Sequence, residues 1–211
     1  MERFIETEKM IQYAKHRPQR EFPPFIPGIW INGKYFWLQN QSEKVFFEES
    51  LMIKIKQQQV HSKIRFFNIY VSNHGKEVKQ IKLLGMYLPL NVEQNLLTFI
   101  SPVENRIYHY ANQHVFLMNA HYHGNGIKEY TTIQLWNAFT DRIWSSVKEG
   151  SLMYQPMSKG LAASIFAINM NVQPHETNKL CTWSINGSKK SELLTLERAL
   201  FKNILAIPYE K

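Results

Sequence analysis

From residue 29 onward the chain falls into short apolar runs of period-two alternation, each closed by a cluster of turn-forming residues. Alternation with period two places successive side chains on opposite faces of a pleated strand. Repeated at short spacing, with no helix between consecutive strands, it excludes a βαβ architecture and selects antiparallel pairing. The fold class that follows is mainly β: an antiparallel β-sandwich, with a jelly roll as its variant form, carrying a short N-terminal helix and an amphipathic C-terminal helix.

The first turn is the most specific. Asn32-Gly33 accepts positive φ at both central positions and closes a tight hairpin between 29–31 and 34–38. Residues 45–56 make one strand or two, and in its last part Ile53 and Ile55 face inward while Lys54 and Lys56 face out. Three further pairs are expected. Strands 63–71 and 78–88 join across Ser72-Asn73-His74-Gly75, 114–123 and 127–136 across Gly124-Asn125-Gly126, and 161–172 and 179–185 across 173–177. Short strands are expected at 97–100 and 106–110. Within 114–123, Phe116, Met118, Ala120 and Tyr122 share one face and Leu117, Asn119, His121 and His123 the other, which predicts a half-solvated strand. Cys181, Trp183 and Ile185 line up on one side, as core residues would.

The ends read differently. Phe4, Ile11 and Ala14 at helical spacing predict a short helix in the first 20 residues, and the prolines at 23, 24 and 27 force an extended arm after it. Residues 191–207 return to helical spacing, with Leu193, Leu196, Leu200 and Ile204 as a stripe behind a Ser191 cap. One domain is expected over 1–211, divided into helix and arm (1–28), β body (29–187) and C-terminal helix (188–211).

Composition narrows the setting. With 44% hydrophobic and 20% charged residues the chain is of ordinary globular make-up, not that of a disordered one. A single cysteine rules out an internal disulfide, the first residues form no secretory signal, and no apolar run approaches the ~18 residues of a membrane span. A cytoplasmic location is the resulting expectation. The net charge of +8 suits a negatively charged partner, although charge by itself does not name one.

His121-Tyr122-His123 is the sharpest candidate for chemistry. Histidines at i and i+2 on a strand share a face and can reach one metal. With the three-residue loop 124–126, Glu129 comes opposite His121 and completes a ligand set suited to iron and related metals; with a two-residue loop it moves to the other face. The pattern resembles a fragment of the cupin motif, where an HxH pair precedes a Glu, and that resemblance implies a metal-dependent enzyme. It departs from cupins in its longer spacer, in lacking a glycine upstream of the first His, and in having no second His-bearing motif. The simpler reading is two solvated histidines on an outward face.

Other chemistries are poorly served. Cys181 beside Trp183 reads as a buried, inert thiol. No G-x-S-x-G elbow or glycine-rich phosphate loop occurs, and Glu48-Glu49, being adjacent, point to opposite faces of a strand. Lys54, Lys56, Lys63, Arg65, Lys76, Lys79 and Lys82 could form one positive face beside Phe66 and Tyr70, as nucleic-acid or anionic-surface binders do. Yet the outward face of any antiparallel sheet is normally charged. Of the tryptophans, Trp30, Trp37, Trp136 and Trp183 read as core and Trp144 as exposed.

The stretch 150–160, then 162–171, Pro174-His-Glu-Thr177 and Leu180-Cys-Thr-Trp-Ser-Ile185, resembles the paired strands of accessory β-sandwich domains in some glycan-processing enzymes. The resemblance implies the fold and a binding role. In those enzymes the catalytic residues lie in a separate helical domain, so none is carried over here. The functional expectation is a non-enzymatic binding or interaction module. Its partner would be a protein or a carbohydrate, met at a sandwich edge or a groove over one sheet, with no cofactor assigned. The cupin-like metal enzyme and the nucleic-acid binder are the alternatives.

Overall fold

Asn32 and Gly33 both take positive φ, 50° and 76°, so the chain reverses in two residues and β1 (Phe25–Ile31) returns as β2 (Lys34–Trp37). The structure is a computed structural model and describes residues 21–90 and 96–206. The helix expected over 1–20 lies outside the described residues. The proline-rich arm is shorter than expected, because β1 begins at Phe25. Pro27 is tolerated inside it since its carbonyl accepts from Leu38 N at 2.8 Å just past the end of β2, where the missing N–H breaks no ladder.

The strands that follow are β3 (Glu43–Phe46), β4 (Leu51–His61), β5 (Ile64–Asn73), β6 (Lys79–Tyr87), β7 (Leu96–Ser101), β8 (Arg106–Ala111), β9 (His114–His121) and β10 (Glu129–Gln134). Two 3-10 turns, Leu135–Asn137 and Asp141–Ile143, lead to β11 (Trp144–Ser146), β12 (Ser151–Leu152), β13 (Met157–Lys159), β14 (Ala162–Val172), β15 (Thr177–Gly187) and the helix Lys190–Ala206. One sheet has five strands in the order β10-β14-β6-β1-β2. The other has eight, β13-β7-β8-β9-β15-β5-β4-β3, and β11-β12 form a small ribbon. All registered neighbours are antiparallel. The fold is therefore the expected antiparallel β-sandwich with a C-terminal helix.

Three of the expected hairpins are not hairpins. Segments 74–78, 122–128 and 173–176 each carry the chain from one sheet to the other, so β5 pairs with β4 and β15, β9 with β8 and β15, and β14 with β6 and β10. A turn cluster reverses the chain equally well within a sheet or across the sandwich; burial decides between the two. By arching over, Ile69 and Val71 of β5 meet Ile81 and Leu83 of β6 inside one inter-sheet core instead of lying beside them. Asn73 braces the first arch, donating through Nδ2 to Glu77 O at 2.8 Å and Val172 O at 3.0 Å.

Both outer faces are covered as well. Leu84, Met86 and Ile165 on the small sheet pack under Phe139, Ile143, Trp144 and Leu152 of the 135–152 stretch. On the large sheet Leu117, Trp183 and Ile185 pack against Leu193 and Leu200 of the helix. β9 is consequently buried on both faces, not half-solvated as its alternation predicts. Cys181, Trp183 and Ile185 do share a buried face, but it is the one under the helix. Trp144 is buried and Trp136 is exposed, the reverse of the sequence expectation. Ser191 lies inside the first helical turn, and Glu192 Oε2 accepts from Ser188 N at 3.2 Å instead.

Gly85 marks the tightest packing between strands. It stands opposite Phe166, and a β-carbon there would come within 2.2 Å of the Phe166 ring. Gly85→Ala is expected to cost about 2–3 kcal/mol through overpacking. In urea the midpoint should fall at unchanged m-value; an unaltered midpoint would show that the ring yields freely.

Candidate functional site

The three candidate metal ligands are split between the two sheets. His121 on β9 stands opposite Cys181, whereas Glu129 on β10 stands opposite Ala167 in the small sheet. The expectation that Glu129 faces His121 across a hairpin is thereby corrected, because segment 122–128 crosses the sandwich. The Glu129 carboxylate is occupied: it accepts from Lys82 Nζ at 2.7 Å and from Leu152 N at 2.7 Å, tying the 135–152 cover to the sheet. His121 lies edge-on to Phe201 of the helix at 5.8 Å, and burial together with the neighbouring His123 lowers its pKa. His123 sits at positive φ in the arch against Tyr122. Among the described residues no three His, Cys, Asp or Glu side chains gather where a metal ion could be held.

The basic cluster is dispersed too. Register places Lys54 and Lys56 on the outer face of β4, while Lys79 and Lys82 belong to β6 in the other sheet. Lys54 pairs with Glu43, Lys63 with Glu192, Lys79 with Glu49 and Lys82 with Glu129. Arg65 lies over the Phe22 ring. Phe66 is buried, stacked on Trp183 beneath the helix, so it is no platform for a base. Tyr70 keeps a lysine, Lys56, 5.6 Å from its ring centre.

Buried polar groups that sequence reasoning passed over hold the layers together. His109 Nε2 and Ser164 Oγ are hydrogen-bonded at 2.8 Å across the two sheets, and burial pulls the His109 pKa down to about 3. Tyr87 and Thr182 make a second such link at 2.8 Å, with burial raising the tyrosine pKa. On the helix, Glu197 is fully buried and accepts from Arg106 Nε, Asn119 Nδ2 and Trp183 Nε1 at 2.5, 3.0 and 3.3 Å. Cys181 donates to Asn68 Oδ1 at 3.3 Å and its pKa is raised by burial, in keeping with a buried thiol. These contacts are structural.

An open cleft of about 390 Å³ lies beside the free edge of β2. Tyr35 and Trp37 of β2, packed beside Phe139 of the cover loop, line it on one face of the strand, and Phe36, on the opposite face, lines it where it meets Phe46. Gln39 and Gln41, on the turn into β3, and Lys44 of β3 complete the lining. Asn40, at φ 55°, bends that turn so that the chain passes from the small sheet to the large one with Gln39 and Gln41 on either side of it. Each wall is braced. Tyr35 donates to Asp141 Oδ1 at 2.8 Å, Trp37 packs edge-on to Phe139 and its ring lies where a Gly28 β-carbon would be, and Lys44 Nζ sits 5.7 and 5.3 Å from the Phe36 and Phe46 ring centres. The indole N–H of Trp37 is buried without a hydrogen-bond partner. None of the lining side chains is a carboxylate, histidine or thiol.

No family model matches this chain, and no curated protein does. Solved structures match the chain at low identity. One is a bacterial glucoamylase complexed with acarbose, 10% identical, with a TM-score of 0.47 over 82% of this chain and 28% of that one. Another is a polysaccharide lyase, also 10% identical, with a TM-score of 0.44 over 82% of this chain and 26% of that one. The chain thus spans about a quarter of the length of either structure. Among the described residues no helix is long and apolar enough to cross a membrane.

Proposed function

We propose that this chain is a non-enzymatic binding module whose contact surface is the cleft beside β2. The observation that carries this reading is the cleft's chemistry: aromatic rings, two side-chain amides and one ammonium around a braced, open space of about 390 Å³. That volume lies in the range of small-molecule sites, and the polar groups are of the kind that orient a ligand. General acid–base and nucleophilic work is most often done by a carboxylate, an imidazole or a thiol, and the lining residues include none of the three. The walls come from strands and a tied-down loop, so little ordering cost is left to the moment of binding.

A library of soluble metabolites, peptides and oligosaccharides tests the reading, with binding followed by amide NMR. Ligands should perturb Trp37, Gln39, Gln41 and Lys44, and the double variant Gln39→Ala/Gln41→Ala should weaken them about tenfold, the loss of roughly one ligand hydrogen bond to each amide. Hits mapping only to other surfaces, or indifferent to the double variant, would refute the cleft as the contact surface.

A further inference from the structure

β4 is longer than the strand that flanks it. β3 covers it only from Leu51 to Lys54, and one further bond, Ile55 N to Ser42 O at 2.7 Å, closes that flank. Lys56, Gln57, Gln58, Gln59, Val60 and His61 are then all exposed, while Phe66, Phe67 and Asn68, opposite Gln58, Gln57 and Lys56 on β5, are buried. Because Ile55 N points to the β3 side, period two turns the N–H and C=O of Gln57 and Gln59 the same way, onto an edge that no other described strand occupies. Open edges are ordinarily blunted by lysines, prolines or bulges. Here Lys56 precedes the stretch and the register shift between Gln59 and His61 follows it, so the flat, open part is confined to the three glutamines.

We infer that this edge pairs with the same edge of a second copy of the chain, antiparallel about a two-fold axis through Gln58. The chemistry selects a self-match. A two-fold axis sets like against like, which a row of lysines or glutamates would oppose, whereas a side-chain amide carries both donor and acceptor and complements another amide. The ends of the stretch decide the register. An axis at Gln57 would set Gln59 against Ile55, whose N–H is already taken by Ser42, and an axis at Gln59 would set Gln57 against the bulge. With the axis at Gln58, Gln57 and Gln59 of one copy exchange main-chain bonds with Gln59 and Gln57 of the other. Lys56 then meets Val60, so no like charges are opposed. Pairing uses up both open edges, and the product is a closed dimer, not a fibre. An added peptide would set its side chains against exposed glutamines, not in the pockets that give strand addition its specificity. The surface is separate from the cleft, and neither reading depends on the other.

Sedimentation equilibrium of the full chain, from micromolar to submillimolar concentration, tests the inference. The mass should rise from 25.0 kDa to twice that value. Gln57→Pro deletes an edge-facing donor and no bond inside the sheet, so it should leave a monomer with the parent's urea midpoint. Gln58→Cys gives a reading that does not depend on proline being tolerated. Across the axis two such cysteines form a non-hydrogen-bonded pair, about 4.5–5.5 Å apart at Cα and within reach of a disulfide, so mild oxidation should link most of the chains. Gln59→Cys lies off the axis, where diagonal neighbours are about 7–8 Å apart, and should link at least ~tenfold more slowly. The parent, whose one cysteine is the buried Cys181, should not link. A chain that stays monomeric throughout overturns the inference. So does a dimer that Gln57→Pro leaves intact, or one that oxidation links no faster through Gln58→Cys than through Gln59→Cys. A monomer whose Gln57 and Gln59 amide signals respond to an alternating threonine–valine decapeptide puts a different occupant on the edge and overturns it as well.

Discussion

Glu197→Ala is expected to destabilise the protein by about 3 kcal/mol, because it strands the donors that the carboxylate now satisfies. Glu197 has no exposure, yet it lies in the middle of the helix face that covers the large sheet. Arg106, Asn119 and Trp183 all donate to it, from three different strands of that sheet. Asn119 and Trp183 are buried, and removing their acceptor leaves each with a desolvated N–H, a penalty of ~1–3 kcal/mol per group. The Arg106 side chain is 23% exposed and can turn to water, which keeps the estimate at the lower end for breaking a buried pair. For a chain of this size the melting temperature should drop by roughly 6–12 °C. A loss below about 1 kcal/mol in chemical denaturation would mean that the carboxylate is not what holds the helix down.

Acidification from pH 7 to pH 5 is expected to cost about 2 kcal/mol through His109 alone. The sign follows from the direction of its shift. Burial between the sheets pulls the folded pKa to about 3, against about 6.5 in an unfolded chain, so between these values the unfolded state binds a proton that the folded state refuses. Stability from this group is fully present above pH ~6.5 and falls as pH drops toward 3, by up to ~1.4 kcal/mol per pH unit. His121, also lowered by burial, adds in the same direction but is only half-buried. Glu104 and Glu192 are held below the usual carboxylate range by Lys190 and Lys63, and their contributions are lost at more acid pH, outside this window. His109→Gln keeps a hydrogen-bonding amide near Ser164 without a proton to gain. Urea midpoints at pH 7 and 5 should converge in that variant; equal acid loss in both proteins would assign the effect elsewhere.

The helix shows how a readable pattern can hide its key residue. The stripe Leu193, Leu196, Leu200, Ile204 was legible from spacing, and Leu193 and Leu200 are indeed buried against the sheet. Glu197 lies four residues after Leu193 and three before Leu200, on the same face, so a carboxylate within an apolar stripe was the available signal. Its partners could not be read, since they sit 14 to 91 residues away on separate strands. The cleft was less legible still. Tyr35 and Trp37 were read as an alternating strand, but that β2 would be an edge, with Phe139 folded over beside it, depends on a loop about a hundred residues distant.

What the sequence determined alone is local: where the longer strands run and where the chain reverses between them. Asn32-Gly33 even specified its hairpin, because a two-residue turn with positive φ at both positions leaves no room for anything but the adjacent strand. Longer turns at 74–78, 122–128 and 173–176 impose no such limit. There the tertiary structure chose, sending consecutive strands to opposite sheets so that their apolar faces meet across the core. That choice separated His121 from Glu129, dispersed the lysines between two sheets, and set β2 and β3 side by side as the edges from which the cleft is made. Pairing partners are fixed by burial summed over the whole sandwich, a quantity that no single turn or strand encodes.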